Sequence, residues 1–232
     1  MKSIYHGLSK TEEVLSWGAE ALIVKTTFLG HPAVKKVRIP KPYRCRELDE
    51  FLRRRRTLLE AKLLHYSIKS GVPAPAVYAI DLAKTTIVIE FLEGELLKKV
   101  LEKKKVNNLA NILEEAGYFA GCLHEAGIVH GDLTTSNIMV CNAKPVLIDF
   151  GLGAFSRDYE DQSVDLHLFL RSLESTHFSI AEDVFKHFIR GYEKARGKNK
   201  TEKILSNVKD IRMRGRYVSE RRIKRKRGQI TT

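Results

Sequence analysis

A chain of 232 residues with 43% hydrophobic side chains can form one ordinary domain or two small lobes sharing a cleft, and it is too apolar to be a tail. Lys and Arg number 41 against 28 Asp and Glu, a formal charge of +13, which favours an anionic partner. Cys45, Cys122 and Cys141 are odd in number and lack a C-x-x-C, so neither a disulfide partner nor a thiolate zinc site is indicated. No apolar run approaches the roughly 20 residues that span a bilayer, and no secretion signal opens the chain, so a cytoplasmic protein without membrane contact is expected.

In chain order, residues 21–26 and 33–39 are β-favouring runs joined by Gly30-His31-Pro32, which predicts a hairpin. Leu48, Phe51, Leu52, Leu58, Leu59, Leu63 and Tyr66 mark an amphipathic helix from about 46 to 70, stopped by Gly71-Val72-Pro73. Residues 77–80 and 86–91 read as two further strands, the second nearly all apolar and expected to be buried on both sides. Leu109, Ile112, Leu113, Ala116, Ala120 and Leu123 recur at three- and four-residue intervals and predict a helix over 107–126. Short β runs at 138–141 and 146–148 flank an Asn142-Ala143-Lys144-Pro145 turn, which puts Asp149 at the exit of a strand. Helices are expected over 164–173 and 180–192, and beyond Arg196 polar and basic residues take over.

The chemistry concentrates in Val129-His130-Gly131-Asp132-Leu133-Thr134-Thr135-Ser136-Asn137 and, further on, Asp149-Phe150-Gly151. Order and spacing match the protein-kinase pattern H-x-D-x-x-x-x-N … D-F-G. Singly, Asp132, Asn137 and Asp149 are ordinary turn residues that hydrogen-bond their own backbone. Jointly, with a helix before and a hairpin between them, they point to phosphoryl transfer, where positioning and charge neutralisation do most of the work. Asp132 can orient or deprotonate the attacking group, and Asn137 and Asp149 can supply oxygens to Mg²⁺.

Such a site also needs a lysine on an early strand and a helix glutamate to orient it. Val34-Lys35-Lys36-Val37 offers two lysines, and alternation along a strand lets only one face the cleft. Lys36 is the choice, with Glu60 as its partner on the following helix. The alternative for Glu60 is a surface pair with Arg56, at i and i−4. Residues 87–94 would link the lobes, with the backbone of Glu90 and Leu92 meeting adenine. The fold class expected is α+β, a reduced bilobal protein-kinase-like fold. An N-lobe (1–92) would hold a small sheet and one long helix, followed by a mainly helical C-lobe (93–208) and a basic tail (209–232).

Gly18-Ala19-Glu20-Ala21, Lys36-Val37-Arg38-Ile39-Pro40-Lys41, Arg56-Thr57 with Glu60-Ala61, the H-G-D-L-T-T-S-N loop, Ile148-Asp149-Phe150-Gly151-Leu152 and Ile211-Arg212-Met213-Arg214-Gly215-Arg216 together resemble one family, the small atypical kinases of the PRPK type in the KEOPS complex. The resemblance covers almost the whole chain. It implies an ATP-binding partner of the tRNA threonylcarbamoyltransferase catalytic subunit and of the other KEOPS subunits, acting on Mg-ATP more as an ATPase than as a signalling kinase and capable of autophosphorylation. By the same resemblance Asp132 is the proton acceptor, Asn137 and Asp149 hold metal, and Lys36 with Glu60 orients the nucleotide.

Four departures from ordinary protein kinases bear on this expectation. Gly18 stands alone where a glycine-rich loop would cover the phosphates. Gly131 replaces the arginine of H-R-D, and Thr134 stands where serine/threonine kinases carry a lysine. No A-P-E follows Gly151, and the stretch before Asp165 is too short for a peptide platform. Protein phosphorylation is therefore expected to be poor. Asp165 either tethers the catalytic loop from below or is a helix-surface aspartate.

The basic tail, including Arg212, Arg214, Arg216, Arg221, Arg222, Lys224 and Arg225, suits tRNA backbone or keeps the protein soluble. Two other functions compete: a small-molecule kinase of the aminoglycoside or choline type, which needs a larger substrate lobe than fewer than 90 residues allow, and a non-catalytic nucleic-acid-binding module, against which the complete set of polar groups argues.

Overall fold

A computed structural model describes residues 12–103 and 107–228, the side chains of 215–228 excepted. The N-terminal half is a five-stranded antiparallel sheet, order β1-β2-β3-β5-β4, with one helix against it. The strands are β1 (Glu13–Trp17), β2 (Ala21–Phe28), β3 (His31–Arg38), β4 (Val77–Asp81) and β5 (Thr86–Glu90), and α1 (Arg46–Lys69) lies between β3 and β4 in the chain. The β2–β3 hairpin turns on Leu29-Gly30, one residue earlier than expected, because both adopt positive φ (49° and 84°) and Phe28 pairs with His31. β1 had no signal: its side chains are all exposed, so no apolar alternation marks it. Nor is β5 buried throughout, since only Thr86 and Ile87 are fully covered.

α1 occupies the expected span, but its inward face is not the apolar one. Leu48, Phe51, Leu58 and Tyr66 are exposed, whereas Asp49, Thr57 and Glu60 are buried with Ala61, Leu63 and Leu64. The buried apolar residues, Ala61, Leu63 and Leu64, come late in the helix; its start carries charge toward the sheet, where Asp49 accepts from Arg53 Nε at 2.7 Å and Arg53 reaches Thr85.

The C-terminal half is mainly helical. β6 (Glu95–Leu96) and α2 (Leu97–Glu102) lead to α3 (Leu109–Glu125), β7 (Ile128–Val129), β8 (Ile138–Cys141), β9 (Lys144–Leu147), β10 (Ala154–Phe155), α4 (Tyr159–Thr176), α5 (Ala181–Arg196) and α6 (Lys198–Gly228). β6, β8 and β9 form a small sheet, and β7 pairs with β10. The hairpin between β8 and β9 turns on Asn142 and Ala143, at φ 49° and 61°, so β9 begins two residues before the expected strand. α3 and α5 approach so closely that a Cβ on Gly117 would lie 1.8 Å from the Phe188 carbonyl oxygen, and one on Gly191 1.7 Å from that of Glu114. Backbone meets backbone there, which only glycine permits.

α6 is a helix where polar composition predicted none. Thr201, Ile204 and Val208 form its buried stripe, and Arg212 and Arg214 pair with Glu174 and Glu160 of α4 at 2.8 and 2.9 Å. Residue 209, the expected start of the tail, therefore falls inside a continuous docked helix. One apolar cluster joins the halves, running from Leu63, Leu64 and Ile87 past Phe150 to Leu133, Leu166, Phe169 and Phe188. The expected α+β architecture with an N-terminal sheet and helical C-terminal part holds. Among the described residues no helix is long and apolar enough to cross a membrane.

Candidate active site

The cleft between sheet and helical half has two connected compartments. The inner one, a cavity of about 230 Å³, is walled by Ile23, Val34, Leu64, Ile89, Met139 and Ile148, with Glu90, Phe91 and Leu92 at its back. These apolar walls suit a flat heterocycle. The amide of Glu90 bonds Ala76 O and that of Phe91 bonds Pro32 O, while the Leu92 amide has no partner among the described residues. The outer compartment, about 290 Å³, is polar and lined by Gly18, Glu20, Lys36, Arg38, Asp132, Asp149 and Gly151.

Strand alternation gives the two neighbouring lysines opposite destinations. Lys35 leaves the cleft and pairs with Glu12 at 2.5 Å, and Lys36 is buried, with Nζ 2.7 Å from both Glu60 Oε1 and Asp149 Oδ1. Burial pulls Lys36 down, yet the two carboxylates outweigh it and hold it above the usual lysine range. Desolvation pushes Asp149 up, and Lys36 with the Gly151 amide more than reverses that, leaving it below the usual carboxylate range. Asp149 sits at φ 61°, a left-handed conformation that aspartate tolerates better than most residues, and its Oδ1 accepts from Gly151 N at 3.0 Å.

Sequence reasoning missed the role of Arg38. Two positions beyond Lys36 on β3, it lies on the same face, 5% exposed, and its Nη2 donates to Glu60 Oε2 at 2.5 Å. Glu60 thus gives one oxygen to each cation, and the alternative surface pair of Glu60 with Arg56 does not form. Arg56 pairs with Glu20 at 3.0 Å, and Lys41 also reaches Glu20, at 3.4 Å, and donates to Ala19 O. Those contacts pin the β1–β2 turn against α1. Gly18 lines the outer compartment, but its amide donates to Ala21 O at 3.0 Å within that turn.

The catalytic-loop residues converge as their spacing suggested. Asn137 Nδ2 donates to Asp132 O and to Asp132 Oδ2, both at 2.8 Å, which orients the amide so that Oδ1 remains available. Asp165 is the tether and not a surface group: buried, it accepts from the backbone amides of His130 (2.6 Å) and Gly131 (2.8 Å) and from His124 Nε2 (3.1 Å). Gly131 stands at φ 78°, and a Cβ there would lie 2.1 Å from Leu152 O. A side chain of any size, arginine included, is sterically barred by the segment after Asp149-Phe150-Gly151. That segment is short: α4 begins at Tyr159, and Ala154–Phe155 pairs with β7 at the base of the catalytic loop.

His130 is buried against Phe150, ring centroids 4.6 Å apart. Its Nε2 donates to Ile148 O at 3.0 Å and its Nδ1 accepts from the Asp132 amide at 3.3 Å, a pattern that requires the neutral ring. Burial lowers its pKa below the ordinary histidine range despite Asp165, Asp149 and Asp132 nearby. The unfolded chain then binds the proton more readily, so stability is present above pH of about 6.5 and declines as pH falls below it. The slope of Tm against pH between 7 and 5.5 is expected to be shallower in His130→Gln than in the parent chain; equal slopes would rule out this contribution.

Among the expected tail residues, Arg212 and Arg214 are paired with α4 as described, and the side chains of Arg216, Arg221, Arg222, Lys224 and Arg225 lie outside the described residues.

A two-part α+β fold with a nucleotide-shaped cleft, its lysine–glutamate pair and an Asp–Asn loop defines the kinase-like class. A family model described as RIO domain matches residues 3–160. The KEOPS complex subunit Bud32 of Pyrococcus abyssi is 42% identical over 211 residues, 88% of this chain and 96% of that one. A probable serine/threonine-protein kinase BUD32 homolog of Archaeoglobus fulgidus is 40% identical over 185 residues, covering 80% and 88%. A probable bifunctional tRNA threonylcarbamoyladenosine biosynthesis protein of Methanobrevibacter smithii is 41% identical over 210 residues, 90% of this chain but only 38% of that longer protein. Among solved structures the Rio2 kinase of Chaetomium thermophilum superposes with a TM-score of 0.60 at 17% identity, over 90% of this chain and 72% of that one, a likeness of fold alone. The chain belongs to the RIO-domain family, as an atypical kinase of the Bud32 type.

Proposed function

We propose that this chain binds Mg-ATP in the cleft and transfers its γ-phosphoryl group to water or to the chain itself, as the ATPase and atypical kinase subunit of a KEOPS complex that supports threonylcarbamoyladenosine modification of tRNA. The observation that carries the reading is the convergence of Lys36 on Glu60 and Asp149 beside an Asp132 oriented by Asn137. Adenine would lie between the apolar walls, with the free Leu92 amide as its backbone donor. Lys36, held by Glu60, would turn from Asp149 to the α- and β-phosphates.

The donor set suits magnesium. Asn137 Oδ1 and Asp149 Oδ2 are hard oxygens with no protein partner among the described residues, and a pair of protein oxygens leaves room for waters and phosphate oxygens. When bound there, the ion would neutralise charge on the phosphate oxygens. In the transfer, water's oxygen bonds to the γ-phosphorus as the bond to the β–γ bridging oxygen breaks, and ADP leaves. Asp132 orients that water and takes its proton. The short segment between Gly151 and α4 offers a peptide little to dock on, which favours water or the chain's own groups as acceptors.

The relatives named for KEOPS and for tRNA threonylcarbamoyladenosine biosynthesis support the assembly partners: the threonylcarbamoyltransferase catalytic subunit, the other KEOPS subunits and tRNA. Hydrolysis of ATP and transfer of labelled phosphate to protein are measured for the purified chain alone, with tRNA and with the transferase subunit. Asp132→Asn is expected to lower turnover by roughly 10²-fold or more. Parent turnover that is absent in every condition, with Asp132→Asn indistinguishable from it, would defeat the proposal. For RNA contact by the tail, truncation after Arg214 keeps both α4 ion pairs, and it should flatten the salt dependence of tRNA binding by about 0.7–0.9 in log–log slope per lost phosphate contact. An unchanged slope would exclude the tail.

A further inference from the structure

Arg38 is 5% exposed, yet its side chain has one carboxylate oxygen, Glu60 Oε2, and one carbonyl, Arg56 O at 3.5 Å, as partners, both through Nη2. Among the described residues Nε and Nη1 have none. A guanidinium carries five donors, and Nε and Nη1 of Arg38, neither of them sealed from solvent, are left for water or a ligand. Arg38 lines the polar compartment, and its Nη2 lies 3.5 Å from the position a Cβ on Gly151 would take.

The same compartment lacks what a glycine-rich loop would bring. Gly18 has used its amide inside its own turn, and the turn tip carries the Glu20 carboxylate. Lys36 and Arg38 face Glu60 and Asp149, two cations against two anions. With Glu20 and Asp132 also lining the compartment, Lys36 and Arg38 are its two cations against an acidic surround, and without Arg38 a polyphosphate would meet one cation.

We infer that Arg38 is a polyphosphate-binding residue of the cleft, its guanidinium donating to the terminal phosphates in place of loop amides while it stays paired with Glu60. This rests on the nucleotide reading above and adds to it a residue and a preference for more highly phosphorylated nucleotides.

The test is calorimetric titration with adenosine, ADP and a non-hydrolysable ATP analogue, in the presence of Mg²⁺, on the full chain and on Arg38→Gln and Arg38→Lys. Arg38→Gln is expected to weaken the triphosphate at least tenfold, ADP less, and adenosine by less than twofold. Arg38→Lys, which keeps the charge and loses the fork, should fall between. Equal losses for adenosine and triphosphate would assign Arg38 to upholding Glu60 and overturn the inference, as would no loss. If Arg38→Gln does not fold, as judged by its melting curve, the triphosphate-to-adenosine affinity ratio of Arg38→Lys decides, and a ratio equal to the parent's refutes it. A parent chain that binds none of the three ligands defeats the nucleotide reading itself, an outcome distinct from failure at Arg38.

Discussion

Asp149→Asn is expected to reduce ATP turnover by roughly 10²–10³-fold, the loss of about 3–4 kcal/mol that removing a charge-stabilising group from a phosphoryl-transfer site entails. The substitution is well isolated. Asparagine accepts the left-handed conformation at φ 61° as readily as aspartate, and its amide oxygen can still take the Gly151 N–H bond. Lys36 keeps Glu60, so the buried cation retains a counter-charge. What disappears is an anionic oxygen that pairs with Lys36 in the free protein and that, on the proposed function, would hold a cation beside the phosphates. Steady-state hydrolysis alongside a melting curve separates these effects: turnover should collapse while Tm moves by a few degrees at most. Turnover within threefold of the parent would remove Asp149 from the machinery.

Gly131→Ala should cost more stability than any other single-methyl change in the cleft, about 3 kcal/mol or more. Two costs add. The left-handed backbone charges an alanine roughly 1 kcal/mol, and the new Cβ would sit 2.1 Å from the Leu152 oxygen and 2.5 Å from its carbon, so two backbone segments have to part. For a chain of this size that corresponds to a fall in Tm of roughly 6–12 °C. Gly30→Ala is the control. Gly30 has a similar φ of 84° with nothing within 4 Å, so it isolates the conformational cost. If the two variants melt alike, the overlap at Leu152 is relieved without cost and the argument fails. If Gly131→Ala folds by letting the segment slide, turnover should drop, because Asp149 moves with Leu152.

The same contact recasts the absent arginine of H-R-D. From the loop's spelling, glycine reads as the loss of an arginine side chain. In three dimensions it is a position where the 152–153 backbone lies flush against the catalytic loop.

Much of the cleft was legible because local rules decide it. Alternation on β3 allowed only one of Lys35 and Lys36 to face the cleft without saying which, and the five-residue interval from Asp132 to Asn137 is one that a tight loop can close into a hydrogen bond. Arg38 obeys the same alternation and went unassigned, since nothing short of the fold tells a buried strand arginine from a solvated one. α1 misled on its inward face: Leu48 and Phe51 read as core, but the helix turns Asp49 inward near its start and Glu60, at the cleft, just past its middle. α6 was hidden by its composition. A helix docked by Thr201, Ile204 and Val208 shows too thin an apolar stripe among lysines and arginines to register. Gly117 and Gly191 carry no periodic signal at all, because their contribution is the space they leave.

The pairing of Ala154–Phe155 with Ile128–Val129 has a consequence for control. In many kinases the stretch after Asp-Phe-Gly is a long strap whose ordering, often by an added phosphate, turns the enzyme on. Here that stretch is stitched to the loop it would regulate and runs straight into α4, so it holds no spare length to coil or uncoil. Ordering of that stretch is therefore a poor means of control in this fold. The molecule's tempo would be set by how firmly nucleotide and neighbouring proteins hold the two halves together, and control would come through assembly.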